Sequence, residues 1–270
     1  MNIRPSGVIA PLVTPVDLGG DVSAEGMRRQ VDAIRSQISG LMPCISSGEG
    51  WRLSSAQWLA AIEATMSSAC GLAVYAGCQA VEWAELERRS LRAQELGADA
   101  VVLSLPCDHG MASNGAILAR FARIRDLVNI PIVFYWESFI SGRALDPDVG
   151  MRLCEELGAV AVKDSMRDRA LTRLLIDRFA GGMSILQGWE DLLTPDLLVD
   201  GYVGPLALVS PVTATVFKDE PRWAAIPEEA GRFGTLGRDY ISRVKTELHR
   251  RGVLPTAREF PGVRGVAWDG

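Results

Sequence analysis

Three scarcities in this chain each remove a class of function. Only two of its 270 residues are histidine, His109 and His249, too few to favour metal chemistry or Ser-His-Asp catalysis. The five cysteines (Cys44, Cys70, Cys78, Cys107 and Cys154) form no C-x-x-C pair and no zinc spacing. Their odd number and wide separation fit a reducing compartment, so a cytoplasmic protein is expected. Long apolar runs are also missing. No stretch approaches the ~18 residues of a membrane span, and the start, "MNIRPSGVIAPLVTP", is too short in apolar residues for a signal peptide. Neither G-x-G-x-x-G nor G-x-x-x-x-G-K-[ST] occurs, which removes the commonest dinucleotide and nucleotide loops. No metal or cofactor is expected. The net charge of −5, with acids interspersed among the arginines, argues against a nucleic-acid or membrane partner.

Lysine is far scarcer than arginine: Lys163, Lys218 and Lys245 are the only three. Lys163 ends the apolar run "VAVK", where a buried strand runs out. Desolvation lowers a lysine pKa and frees its lone pair to attack a carbonyl. Arginine cannot serve in this way, because its guanidinium stays protonated. The plain alternative is a lysine that reaches from a strand end to a surface ion pair.

Short apolar runs alternate with helical patterns along most of the chain. The strand candidates are 7–15, 40–46, 72–77, 98–106, 130–136, 160–163, 183–188 and 201–208. They lack strict polar alternation, as strands covered on both faces do. Segments such as "SAEGMRRQVDAIRSQI" and "AVEWAELERRSLRAQEL" carry apolar residues at helical spacing. Ser23 and Ser54 are N-cap candidates, and the "ELGADA" and "ELGAVA" turns put glycine just after a helix. Eight such units predict a (β/α)8 TIM barrel over residues 1–211, with an open doubly wound sheet as the runner-up. Residues 212–270 are expected to form a C-terminal extension, helical over 221–252 and then an irregular tail.

In a barrel the strand C-termini converge on the active site. Strand two then delivers "ISSGEG" (45–50), strand four "PCDHG" (106–110), strand five "FYWES" (134–138), strand six Lys163, and strand seven "GWED" (188–191). Tyr135 would project beside Lys163 and could shuttle protons. Ser46, Ser47 and Gly48 form a tight turn whose N–H groups and hydroxyls suit a carboxylate or a phosphate, although an ordinary strand-to-helix turn looks the same. His109 is near a strand end but fits a loop residue without a role. His249, in "ELHRRG", fits a charge at a helix C-terminus. Trp136, Phe139 and Trp189 are expected near the mouth.

Together these residues resemble the dihydrodipicolinate synthase/N-acetylneuraminate lyase family of pyruvate-dependent class I aldolases. The similarity runs from about residue 7 to 211, through "GVIAPLVTPVD", "ISSGEG", "IPIVFYW", "VAVKDS" and "VDGYVGPLALVSP". The resemblance implies that Lys163 forms an imine with pyruvate or another 2-oxo acid. Tyr135 would be its proton shuttle, Ser46 and Ser47 the carboxylate holders, and Val203 and Gly204 the pocket wall. It implies a homo-oligomer, tetramer or dimer, that takes a small 2-oxo acid and an aldehyde.

The departures from the family bear on substrate. The synthase subgroup has an arginine shortly after the tyrosine; Ile140 stands about there, with Arg143 three residues on. That subgroup also has a tyrosine after strand four that completes a proton relay across a subunit interface, where this chain has Cys107 and Asp108. The lyase subgroup has an S-G pair and a G-x-D-E turn; here Ser141-Gly142 and "GWED" match with the acids reversed. Glu190 and Asp191 would then read hydroxyls of a sugar-like aldehyde, while Trp136, with Phe139 and Trp189, leaves an aromatic one open. A lyase or aldolase is the leading expectation. A dehydratase or hydratase-aldolase, a 4-hydroxy-tetrahydrodipicolinate synthase and a non-catalytic 2-oxo-acid-binding barrel are the alternatives.

Overall fold

The structure, a computed structural model, describes residues 4–108, 112–218 and 222–261. Eight parallel strands close into a barrel in sequence order, β1 pairing with both β2 and β8. They are β1 (Gly7–Ala10), β2 (Gly40–Leu41), β3 (Ala73–Gly77), β4 (Ala100–Leu103), β5 (Ile132–Trp136), β6 (Ala161–Asp164), β7 (Ser184–Gln187) and β8 (Gly201–Tyr202). Between them run α1 (Ala24–Ile34), α2 (Ser55–Ser68), α3 (Trp83–Glu95), α4 (Asn114–Leu127), α5 (Pro147–Glu156) and α6 (Arg169–Phe179). After β8 come the short α7 (Leu206–Val209), α8 (Ala225–Phe233) and α9 (Tyr240–Arg250). Among the described residues no helix is long and apolar enough to cross a membrane.

The helix starts follow the sequence signals. Ser23 accepts a hydrogen bond from the Gly26 N–H at 3.1 Å. Ser54 and Gln57 form a reciprocal capping box at α2, which satisfies two otherwise orphaned N–H groups. Gly97 and Gly158 leave their helices with φ of 81° and 57°, a conformation that penalises a Cβ.

Strand alternation sorts side chains between two cores. Ile9, Tyr75, Val102, Val133, Tyr135, Ala161, Leu186 and Val203 fill the barrel interior. Their neighbours, including Val101, Phe134, Trp136, Val162 and Ile185, face the helices. Trp136 is the first correction to the sequence reading: it is buried on the outer side, against Phe134 and against α5, away from the mouth. With Tyr135 facing inward, its successor must face the helices. A Cβ on Gly150 would lie 2.0 Å from the Trp136 ring, so α5 approaches closely because it carries no side chain there. The expected strand over 201–208 is the second correction. It ends at Tyr202, and Leu206–Val209 turn helical once Pro205, with no N–H and a fixed φ, interrupts the ladder.

Candidate active site

Tyr135 and Lys163 are direct partners in the register of β5 and β6, both facing the interior. The Lys163 amine lies 3.9 Å from the centroid of the Tyr135 ring. Burial pushes the amine down to about 7, against the opposing pull of Glu137 and Glu190. The same burial holds the Tyr135 phenol well above 10, so it remains a proton donor at neutral pH.

The Tyr135 hydroxyl is 2.8 Å from the Ser46 hydroxyl. Ser46, Ser47 and Gly48 form a 3-10 turn after β2, and Glu49 follows in the left-handed region with φ 55°. A Cβ on Gly50 would meet the Cys44 carbonyl oxygen at 2.0 Å, so the fold of this turn requires glycine. Arg89, buried beneath it, donates to the carbonyls of Gly50 at 2.8 Å and Leu53 at 2.7 Å. The turn is therefore rigid before any ligand arrives.

The cavity over these groups opens to solvent at its mouth, and its empty space, the mouth included, is about 330 Å³. Ser46, Ser47, Tyr135, Lys163, Glu190 and Val203 from the sequence reading line it, and Phe139 and Trp189 stand together in its wall. Their rings form an edge-to-face pair with centroids 6.2 Å apart. Trp189 is fixed by donating its indole N–H to the Ser165 carbonyl at 3.0 Å.

Glu190 Oε1 accepts the Tyr202 hydroxyl at 2.6 Å and the Leu206 N–H at 3.0 Å. Burial raises its pKa above the ordinary carboxylate range. Its Oε2 is buried without a hydrogen-bond partner. The Thr235 hydroxyl lies beside this carboxyl but makes no well-formed hydrogen bond either.

Four residues expected at the site are absent from the cavity wall. Asp191, expected to read substrate hydroxyls, instead pairs with Arg167 at 2.7 Å, which sits over the Trp189 ring. Gly48 is turned toward Thr14, whose hydroxyl donates to its carbonyl at 2.6 Å. Gly204 backs onto Tyr202: a Cβ there would lie 2.3 Å from the phenol oxygen. Trp136 packs outside the barrel, as above. Arg143 is tied to the Ala112 carbonyl at 2.6 Å and to Asn114 Oδ1 at 2.7 Å. His109 lies outside the described residues. His249 is in the last turn of α9, with Nδ1 3.0 Å from the Leu254 carbonyl oxygen.

Two acids and a phenol were not singled out from the sequence. Glu137 is buried, accepts the N–H groups of Ile140 at 2.6 Å and Ser141 at 3.2 Å, and is pushed up to about 7 by burial. Its place two residues after Tyr135 was the available signal. Tyr240, the first residue of α9, lines the cavity from beyond the barrel. Glu49 is fully buried against Lys245. A neutral buried amine, a protonated phenol and a pair of serine hydroxyls around one cavity can together add an amine to a carbonyl and move protons around the adduct.

The model of the dihydrodipicolinate synthetase family matches residues 4–219. The 4-hydroxy-tetrahydrodipicolinate synthase of Methanopyrus kandleri is 30% identical over 217 residues, covering 78% of this chain and 71% of that protein. Two solved structures share the fold. YagE of Escherichia coli K12, a dihydrodipicolinic acid synthase family member in complex with pyruvate, superposes with a TM-score of 0.83 at 21% identity, covering 97% of this chain and 93% of its own. The 2-keto 3-deoxygluconate aldolase of Picrophilus torridus does so with a TM-score of 0.82 at 17% identity, covering 96% and 97%.

Proposed function

The chain belongs to the dihydrodipicolinate synthetase family, and we propose that it is a Schiff-base lyase or aldolase acting beside the carbonyl of a 2-oxo acid. The observation that carries this reading is the buried Lys163 amine, held to about 7 and packed on the Tyr135 ring. The amine attacks C2 of pyruvate or a related acid, and the carbonyl oxygen leaves as water. The protonated imine then withdraws electrons, so that C3 can lose a proton or a carbon–carbon bond. Tyr135 supplies and removes protons, while Ser46 and Ser47 take the carboxylate through their hydroxyls. Hydrolysis of the imine returns the amine. A dimer or tetramer working in the cytoplasm is part of the same reading.

For the aldehyde, Glu190 Oε2 and the Thr235 hydroxyl are unsatisfied polar atoms in the wall, which suits a hydroxylated chain. Phe139 and Trp189 would cover its carbon skeleton. Among the described residues Lys163 is the only cationic side chain lining the cavity, and Arg143 is engaged elsewhere. A second carboxylate therefore has no fixed partner. The names of the curated relatives favour 4-hydroxy-tetrahydrodipicolinate synthase as the second reading.

The test pairs pyruvate with hydroxylated aldehydes, aromatic aldehydes and aspartate semialdehyde. Hydroxylated aldehydes are expected to lead aspartate semialdehyde by about 10- to 100-fold in kcat/KM, the loss a missing charge-assisted hydrogen bond brings. Efficient condensation with aspartate semialdehyde would establish the second reading instead.

A further inference from the structure

We propose that Tyr240, brought to the cavity by the chain's own C-terminal helix, is the solvent-side member of a proton relay running Tyr240–Ser46–Tyr135. This rests on the Schiff-base reading above. Tyr135 is 1% exposed and Ser46 2%, so neither exchanges protons readily with bulk water. Their hydroxyls are 2.8 Å apart. The Tyr240 phenol lies beside the Ser46 and Ser47 hydroxyls and lines the same cavity. At 9% exposed it is the most open of the four tyrosines, so residue exposure rises from Tyr135 through Ser46 to Tyr240. Burial pushes its pKa up to about 12, which keeps it a donor at neutral pH.

The surroundings are built to hold Tyr240 there. Five residues on, Lys245 is fully buried and pairs with Glu49, which directly follows the Ser46–Gly48 turn. Lys245 also donates to the Arg258 carbonyl at 2.9 Å, and Glu49 accepts the Phe260 N–H at 2.8 Å. The helix carrying the phenol is thereby fastened to the turn carrying the serines. Trp51, Ile140 and Ile241 pack around Tyr240, and Cys107, just beyond β4, packs against that cluster. Tyr240 lies outside the segment that the family model matches.

The transfer balances as a net movement of one proton. When Tyr135 protonates the reacting oxygen, Ser46 reprotonates Tyr135, Tyr240 reprotonates Ser46, and water reprotonates Tyr240. A proton taken from C3 leaves by the reverse route.

Exchange of the pyruvate methyl protons in D2O, followed by proton NMR, reads this path without any aldehyde. The wild type should exchange, because deuterons reach the buried Tyr135 along the relay. Tyr240→Phe keeps the ring and should slow exchange at least about tenfold, while borohydride still traps the Lys163 adduct. Ser46→Ala, which cuts the relay in its middle, should slow exchange likewise. Wild-type exchange in Tyr240→Phe would overturn the proposal, as would a variant that loses adduct trapping together with exchange, since Tyr240 would then only shape the cavity. A wild type that neither exchanges nor traps would overturn the Schiff-base reading itself, which separates the two failures.

Discussion

At the scale of single residues the chemistry turns on one proton. Lys163 is useful only when neutral, and burial brings its pKa to about 7 instead of 10.5. A lowered lysine pKa means that the amine is free above about 7 and protonated below it. The rate of imine formation is therefore expected to fall about tenfold per unit as pH drops below that point and to level off above it. Stopped-flow or trapping rates between pH 5 and 10, roughly the span separating those two limits, check this. A rate still climbing toward 10 would mean a solvated amine. Glu137 attracts the ammonium form and raises the Lys163 pKa. Glu137→Gln removes that attraction and should move the acid limb to lower pH, while its amide oxygen can still accept from the loop N–H groups. A limb that moves to higher pH would contradict the assigned sign.

At the scale of elements, α9 joins the barrel through a charge pair with no exposed surface. Desolvation raises the Glu49 pKa and lowers that of Lys245, and each partner's field opposes the shift in the other. Such a pair adds little net stability, but removing one member strands the other. Lys245→Met is expected to cost about 3 kcal/mol in urea unfolding, because Glu49 loses its fully buried cation and keeps only Arg52, at 3.2 Å. Adding Glu49→Gln should recover part of that loss. A single variant as stable as the wild type would show that water reaches Glu49. Helical periodicity places "SRVKTELHRR" within the helical C-terminal extension, but it reveals only which face is buried and not against what. The Lys245 partner lies 196 positions away, and no local pattern carries such a pairing.

At the scale of the whole molecule, the framework was legible because eight strand–helix units repeat and a closed parallel barrel has one arrangement for them. Strand alternation also made much of the cavity wall legible, since Tyr135, Lys163 and Val203 all come from strand ends or just beyond. It failed where alternation was not followed through, at Trp136, and where an exposed ion pair claimed a side chain, at Asp191. It also missed the site contribution from beyond the barrel. A chain ended at residue 222 would lose α8 and α9 together with Ile226, Ala230, Val244 and Leu248, which are buried in the core, and would uncover α7, on which both helices pack. That chain is expected to lose cooperative melting and adduct trapping, although it keeps the family-matched segment, as circular dichroism and mass spectrometry can measure. Native-like melting with full trapping would mean that the barrel carries the site alone.

The most direct test of the central claim is reductive trapping with pyruvate and borohydride, read by intact mass and peptide mapping. One reduced pyruvate adduct per chain, on Lys163 and abolished in a folded Lys163→Arg variant, is the predicted result. No adduct, or one distributed over Lys218 and Lys245, would contradict it.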